Sequence, residues 1–166
     1  EYEITVSIPS CASRRSSIDA VIKALSPTPC LDAVIDASSL TLFLERAKLL
    51  DSSARKQPVF LSADSSKGCV EAHYETGLGN IEDVLPAQTG GSLPKAVVAI
   101  SPRNLSEVCS HLQLPVMQMK IYGPSSPLVV TELAGKSKIT HIALPIVVKQ
   151  GASEDGLPFN VNDWDE

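Results

Sequence analysis

Cys69 and His73 lie four residues apart in Cys-Val-Glu-Ala-His, a thiol and an imidazole of the kinds that together make a nucleophile and its base. Read as a strand, the segment puts both side chains on one face but separates them by about 13 Å at 3.3 Å per residue, too far for direct proton transfer. Cys109 and His111 fall two residues apart near an expected helix end, which is neither of the spacings that bring helical side chains together. Asp32 and Asp36 offer two carboxylates, but no repeated Asp, Glu or His set accompanies them to complete a metal or sugar site. Cys11, Cys30, Cys69 and Cys109 contain no Cys-x-x-Cys pair, so reduced thiols are expected rather than a zinc site or redox dithiol. Neither glycine-rich phosphate-binding motif occurs. Asn104-Leu105-Ser106 fits a glycosylation acceptor, yet without a targeting segment it reads as part of a helix start. No catalytic site, metal or cofactor is expected.

The elements that position these residues follow from hydrophobic patterning. The chain has 166 residues, 43% hydrophobic but only 4% aromatic, with 12 prolines and 9 glycines, a composition that suits strands and turns built on aliphatic side chains. Its longest apolar runs, 96–100 and 142–148, are far shorter than the roughly 20 residues that cross a bilayer. The net charge is −5, but five acids fall within 154–166 and the remainder of the chain is neutral. That balance argues against the broad basic surface of an autonomous nucleic-acid binder, though not against local positive faces in a larger assembly.

Residues 2–8 alternate like a strand that needs a partner elsewhere, and 18–25 reads as a short helix or ordered connection before the prolines at 27 and 29. Segment 31–36 is extended, and a helix over 39–50 buries Leu40, Phe43, Leu44 and Ala47 on one face. Strands are expected at 58–63, 68–74 and 81–86. The second half repeats the order: a strand at 95–101, a helix over 102–112 opened by Pro102, then strands at 116–122, 128–133 and 139–148. The paired Met117 and Met119 read as strand packing. The expected fold is therefore α+β, made from two strand-helix-three-strand units whose helices pack on one curved antiparallel sheet.

Three stretches make the pattern more specific: FLERAKLLDSSARKQPVFLSADSSKGCVEAHYETGLGNIEDVLPAQTG, AVVAISPRNLSEVCSHLQLPVMQMKIYGPSSPLVV and THIALPIVV. Together they resemble the C-terminal domain of the bacterial beta sliding clamp, the DNA polymerase III beta subunit, over about residues 18–148. The resemblance rests on element order, turn positions and the hydrophobic terminus rather than on one motif. It implies that 1–30 is the end of a preceding domain with its connector, 31–150 a sliding-clamp-like domain, and 151–166 an acidic tail carrying Leu157, Phe159 and Trp164. The tail is open to readings as a cover for a groove, a tether or a plain polar extension.

The same resemblance implies a noncatalytic processivity factor. Its full-length form would be a homodimeric ring around DNA, cytoplasmic and nucleoid-associated, with no membrane partner. Hydrophobic peptides of DNA polymerase, clamp loader and repair proteins would dock in a groove formed by Ser125, Pro127, Ile142, Leu144, Pro145 and Ile146. Val147 stands where many clamps place a basic residue, and Leu144 and Ile146 replace methionines. Arg46, Lys48 and Arg103 match the DNA-channel side; from the residues alone a solvated basic fringe on two amphipathic helices is the plainer reading, with interface pairing as a further one. Leu49 and Leu50 match a ring-closing contact, with an intramolecular helix end as the plainer reading. A clamp-fold interaction scaffold that does not encircle DNA is the alternative function.

Overall fold

The computed structural model describes residues 3–5, 25, 28–50, 57–134 and 137–146. The elements run β1 (Glu3–Thr5), β2 (Leu31–Asp36), α1 (Ala37–Leu50), β3 (Val59–Asp64), β4 (Cys69–Thr76), β5 (Gly79–Gly91) and β6 (Lys95–Ile100), then α2 (Pro102–His111), β7 (Val116–Ile121), β8 (Leu128–Ala134) and β9 (Ser137–Ala143). From β2 to β9 this is the expected order twice over. The remainder of the 2–8 strand, most of 18–25, the polar stretch 51–56, residues 147–148 of the last strand and the tail lie outside the described residues.

Alternation drives the sheet. In β2 Leu31, Ala33 and Ile35 point inward and Asp32, Val34 and Asp36 point away, and β7 does the same with Met117, Met119 and Ile121. The inward residues of β2 to β9 join Leu40, Phe43, Leu44 and Ala47 of α1 and Leu105 and Val108 of α2 in one apolar core. Both helices therefore sit on the same face of the curved sheet, packed against each other.

Helix α1 begins two residues before the expected start. Asp36 ends β2 and caps the helix, accepting the Ser38 backbone N–H at 2.8 Å and the Ser38 hydroxyl at 2.7 Å. Those bonds, the hydroxyl's first, hold the Asp36 carboxyl below its ordinary value. Strand β5 departs more from expectation, running to Gly91 through Pro86. The proline sits where the strand changes partner: 79–86 pair with β4 and 87–91 with β2. A residue without an N–H is tolerated at that handover, where a central ladder position would reject it.

The strand order is β1-β9-β8-β7-β2-β5-β4-β3-β6. All neighbours are antiparallel except β1, which adds in parallel to β9 with Ile4 opposite Thr140. The two units exchange their first strands: β2 lies against β7 of the second unit, and β6 lies against β3 of the first. By the same internal symmetry, β2 pairing with the end of β5 has a counterpart in β6 meeting the chain beyond β9. That counterpart is abbreviated among the described residues, with Pro145 bridged to Ile100 and the Ile146 N–H donating to the Ala99 carbonyl at 2.8 Å.

Candidate functional site

At the end of β9 the described part of the ladder closes with Leu128 opposite Ala143, so the next residues outward, Leu144 on one strand and Pro127 on the other, emerge at the same end of the β8–β9 ladder. The turn before β8 brings Ser125 to that end, tightened by the Ser126 N–H on the Gly123 carbonyl at 3.2 Å. Beyond Leu144 the chain crosses to β6 through Pro145 and Ile146. Leu144 is 38% exposed, Ser125 is exposed, and Pro127, Pro145 and Ile146 are half-buried. Ile142 is different: at 2% exposure it is buried and offers no surface of its own. Of the six residues expected to form a groove, Ser125, Pro127, Leu144, Pro145 and Ile146 are each at least partly accessible, and Ile142 is not. Among the described residues one backbone bridge and one hydrogen bond hold the chain after β9 to β6, whereas β5 is held to β2 by five paired residues.

The three basic residues expected on the helix face differ in where their side chains go. Lys48 near the end of α1 and Arg103 in the first turn of α2 are exposed. Arg46 instead turns to the sheet, where its Nη2 pairs with the Asp83 carboxylate of β5. Glu45 and Glu107 are exposed on the same two helices, so the surface is mixed rather than strongly basic. The Arg46–Asp83 pair is partly solvated and contributes modestly; Asp83→Ala is expected to lower unfolding free energy by about 1 kcal/mol or less in urea denaturation. Leu49 is 81% exposed and, with Leu42 one heptad earlier, gives α1 an uncovered apolar strip, while Leu50 is half-buried against the core.

The pairs with chemical potential are kept apart. His73 bonds Glu82 through Nδ1 at 3.0 Å and approaches Glu75 at 3.6 Å, while Cys69 is buried opposite Pro86 at the other end of β4. Cys109 lies between the helices near Thr41 and Lys48, and burial pushes its thiol up to about 11, well away from a nucleophilic thiolate. Asp32 accepts from the Gln118 amide at 3.3 Å and Asp36 is engaged as the helix cap. Among the described residues no group of three His, Cys, Asp or Glu is placed to hold a metal ion.

Two polar residues escaped the motif search. Glu132 of β8 and His141 of β9 are fully or nearly fully buried on the helix-facing side. Period-2 alternation carried the signal, since Glu132 follows the inward Leu128 and Val130, and His141 precedes the inward Ala143. Glu132 Oε2 accepts the backbone N–H groups of Gln113 at 2.6 Å and Leu114 at 2.8 Å, fastening the connection after α2 to the sheet. Pro115 in that connection accepts the Ala37 N–H at 2.8 Å, so the same four residues also hold the start of α1.

No protein-family model and no curated protein matches the sequence. Solved structures match the fold. The DNA polymerase sliding clamp of Bacillus subtilis superposes with a TM-score of 0.70 at 15% identity, over 82% of this chain and 35% of that one. The beta subunit from DNA polymerase of Streptococcus pyogenes gives 0.66 at 19% identity, over 81% and 35%. The DNA polymerase III beta subunit of Thermotoga maritima gives 0.66 at 18%, over 77% and 34%. At these identities the likeness is one of fold, and this chain spans about a third of the length of those clamps.

Proposed function

We propose that this chain is a piece of a noncatalytic DNA polymerase processivity clamp, contributing its helix face to a ring around DNA and its β9 edge to the docking of hydrophobic clamp-binding peptides. What supports the reading is the exchanged pair of strand-helix-three-strand units, the arrangement it shares with the clamps. Neither role requires a reacting group: a ring retains its polymerase topologically, and diffuse phosphate contacts allow sliding where base-specific bonds would arrest it. Within this reading Lys48 and Arg103 face the duplex, and Leu49 with Leu50 meets the next subunit of a homodimeric ring. Ser125, Pro127, Leu144, Pro145 and Ile146 receive the peptides of polymerase, clamp loader and repair proteins, with Ile142 as the support behind them. The setting is the cytoplasm, at the nucleoid.

The Arg46–Asp83 pair favours a second reading, a clamp-fold interaction scaffold that does not encircle DNA, because it withdraws one of three basic side chains from the helix face. Both readings share the docking edge, which a titration tests. A fluorescent peptide from a polymerase or clamp-loader tail is expected to bind the intact chain. Leu144→Asp is expected to weaken it by about 10- to 100-fold, the loss of one buried leucine contact. Leu144 is exposed enough for the change to leave the fold intact, which circular dichroism checks. Equal affinity in the two proteins, or no binding to either, would remove the docking role.

A further inference from the structure

Glu132, His141 and His111 form a cluster at the foot of α2 that neither docking nor ring formation uses. Val130 pairs with His141 and Glu132 with Ile139, so the carboxylate and the imidazole are diagonal neighbours on adjacent strands, with backbones about 7–8 Å apart. His111, the last residue of α2, lays its ring parallel to that of His141, with centroids 6.4 Å apart and planes within 8°. Glu132 is 0% and His141 2% exposed. One Glu132 oxygen is committed to Gln113 and Leu114. The other, Oε1, and His141 Nε2 are buried with no hydrogen-bond partner among the described residues. Buried polar atoms left this way are uncommon enough in folded proteins to call for a role.

We propose that this cluster is an acid-sensitive latch: His141 is held neutral while closed, and its protonation releases the 112–115 connection and the foot of α2 from the sheet. A neutral imidazole can lie buried beneath His111. An imidazolium there would lack water and lie against the parallel ring of His111. Among the described side chains, two titratable groups bear on it. Glu132 from β8 favours the charged form and His111 from α2 opposes it. On β1, whose Thr5 pairs with His141, the charged residue is Glu3, in register with Ile139. Burial outweighs the attraction of Glu132, so the closed state holds His141 below its ordinary value of 6.5. The open state binds the proton more readily. Closure is therefore fully favoured above about pH 6.5 and loses up to tenfold per pH unit as pH falls from there toward the depressed value of the closed state.

The test is amide hydrogen exchange by NMR on the 166-residue chain at pH 7.5 and 5.5, corrected for intrinsic exchange. Protection at Gln113 and Leu114 is expected to fall by about tenfold relative to Leu61 and Val98, which lie in β3 and β6 away from the cluster. In His141→Phe the ratio is expected to stay constant with pH. An equal fall in that variant would assign the effect to Glu132 or His111 and overturn the proposal, as would a constant ratio in the unsubstituted chain. Should His141→Phe fail to fold, the ring protons of His141 in the unsubstituted chain decide. Titration below 6.5, moving upward in His111→Gln, is the expected result; titration at 6.5 or above sinks the latch.

Discussion

Replacing Glu132 by alanine is expected to destabilise the fold by about 3 kcal/mol, whereas Glu132→Gln is expected to cost about 1 kcal/mol or less. The alanine removes the single oxygen that accepts the Gln113 and Leu114 N–H groups, two charge-assisted bonds at 2.6 and 2.8 Å. Part of that loss is offset, because a buried carboxylate with one unpartnered oxygen is itself costly to desolvate. Glutamine keeps a carbonyl oxygen in the same place, able to accept both donors, and puts its amide group where Oε1 had no partner. For a chain of this length the alanine variant should melt roughly 6–12 °C lower. Urea denaturation and a thermal scan of the two variants measure the difference. If Glu132→Ala stays within 1 kcal/mol of the parent, the 112–115 connection is fastened by packing and the carboxylate is incidental.

Gly91→Ala is expected to cost about 2 kcal/mol or more, although it adds a single methyl group. Gly91 ends β5 opposite Leu31, at φ +143°, where a side chain is strained. A Cβ there would lie 2.6 Å from the Cys30 carbonyl oxygen and 2.7 Å from the Leu31 Cα, both backbone atoms that cannot swing aside. Cys30 also accepts the Ser92 and Leu93 N–H groups, each at 3.0 Å, so the displaced segment would lose the bonds that start β2. Gly77 is the contrast: a Cβ there meets nothing within 4 Å, and Gly77→Ala should leave the urea midpoint nearly unchanged. Similar losses in both variants would mean that the close approach of the Cys30 and Leu31 backbone is not what governs Gly91.

Much of the fold was legible because each element carries its own period. The buried face of α1 follows directly from Leu40, Phe43, Leu44 and Ala47, and Pro102 marks the start of α2. What was not legible depended on partners far along the chain. The strand expected at 81–86 ends at Pro86, yet β5 continues to Gly91 by passing from β4 to β2, a handover that no local rule describes. Arg46 was readable as a helix-face cation but not as the partner of Asp83, thirty-seven residues away. The apolar-proline-apolar run at the end of β9 was visible, but alternation puts Ile142 and Leu144 on the same side and could not show that Ile142 is buried and Leu144 exposed. The latch residues were hidden for a different reason. Glu132 and His141 carry no motif, and only their places in an otherwise apolar inward row distinguish them.

The exchange of first strands also sets an order of events during synthesis. Leu31 of β2 pairs with Ile121 of β7, ninety positions later. At about 5–20 residues per second, ribosomal elongation separates the emergence of those partners by roughly 5–18 s. For about the first two thirds of that interval β2 has neither sheet neighbour, because its β5 partners run only from Ala87 to Gly91, and for the rest it has the end of β5 alone. Neither unit reaches its final pairing while the other is still being made, so the nascent chain acquires its stability late and nearly all at once.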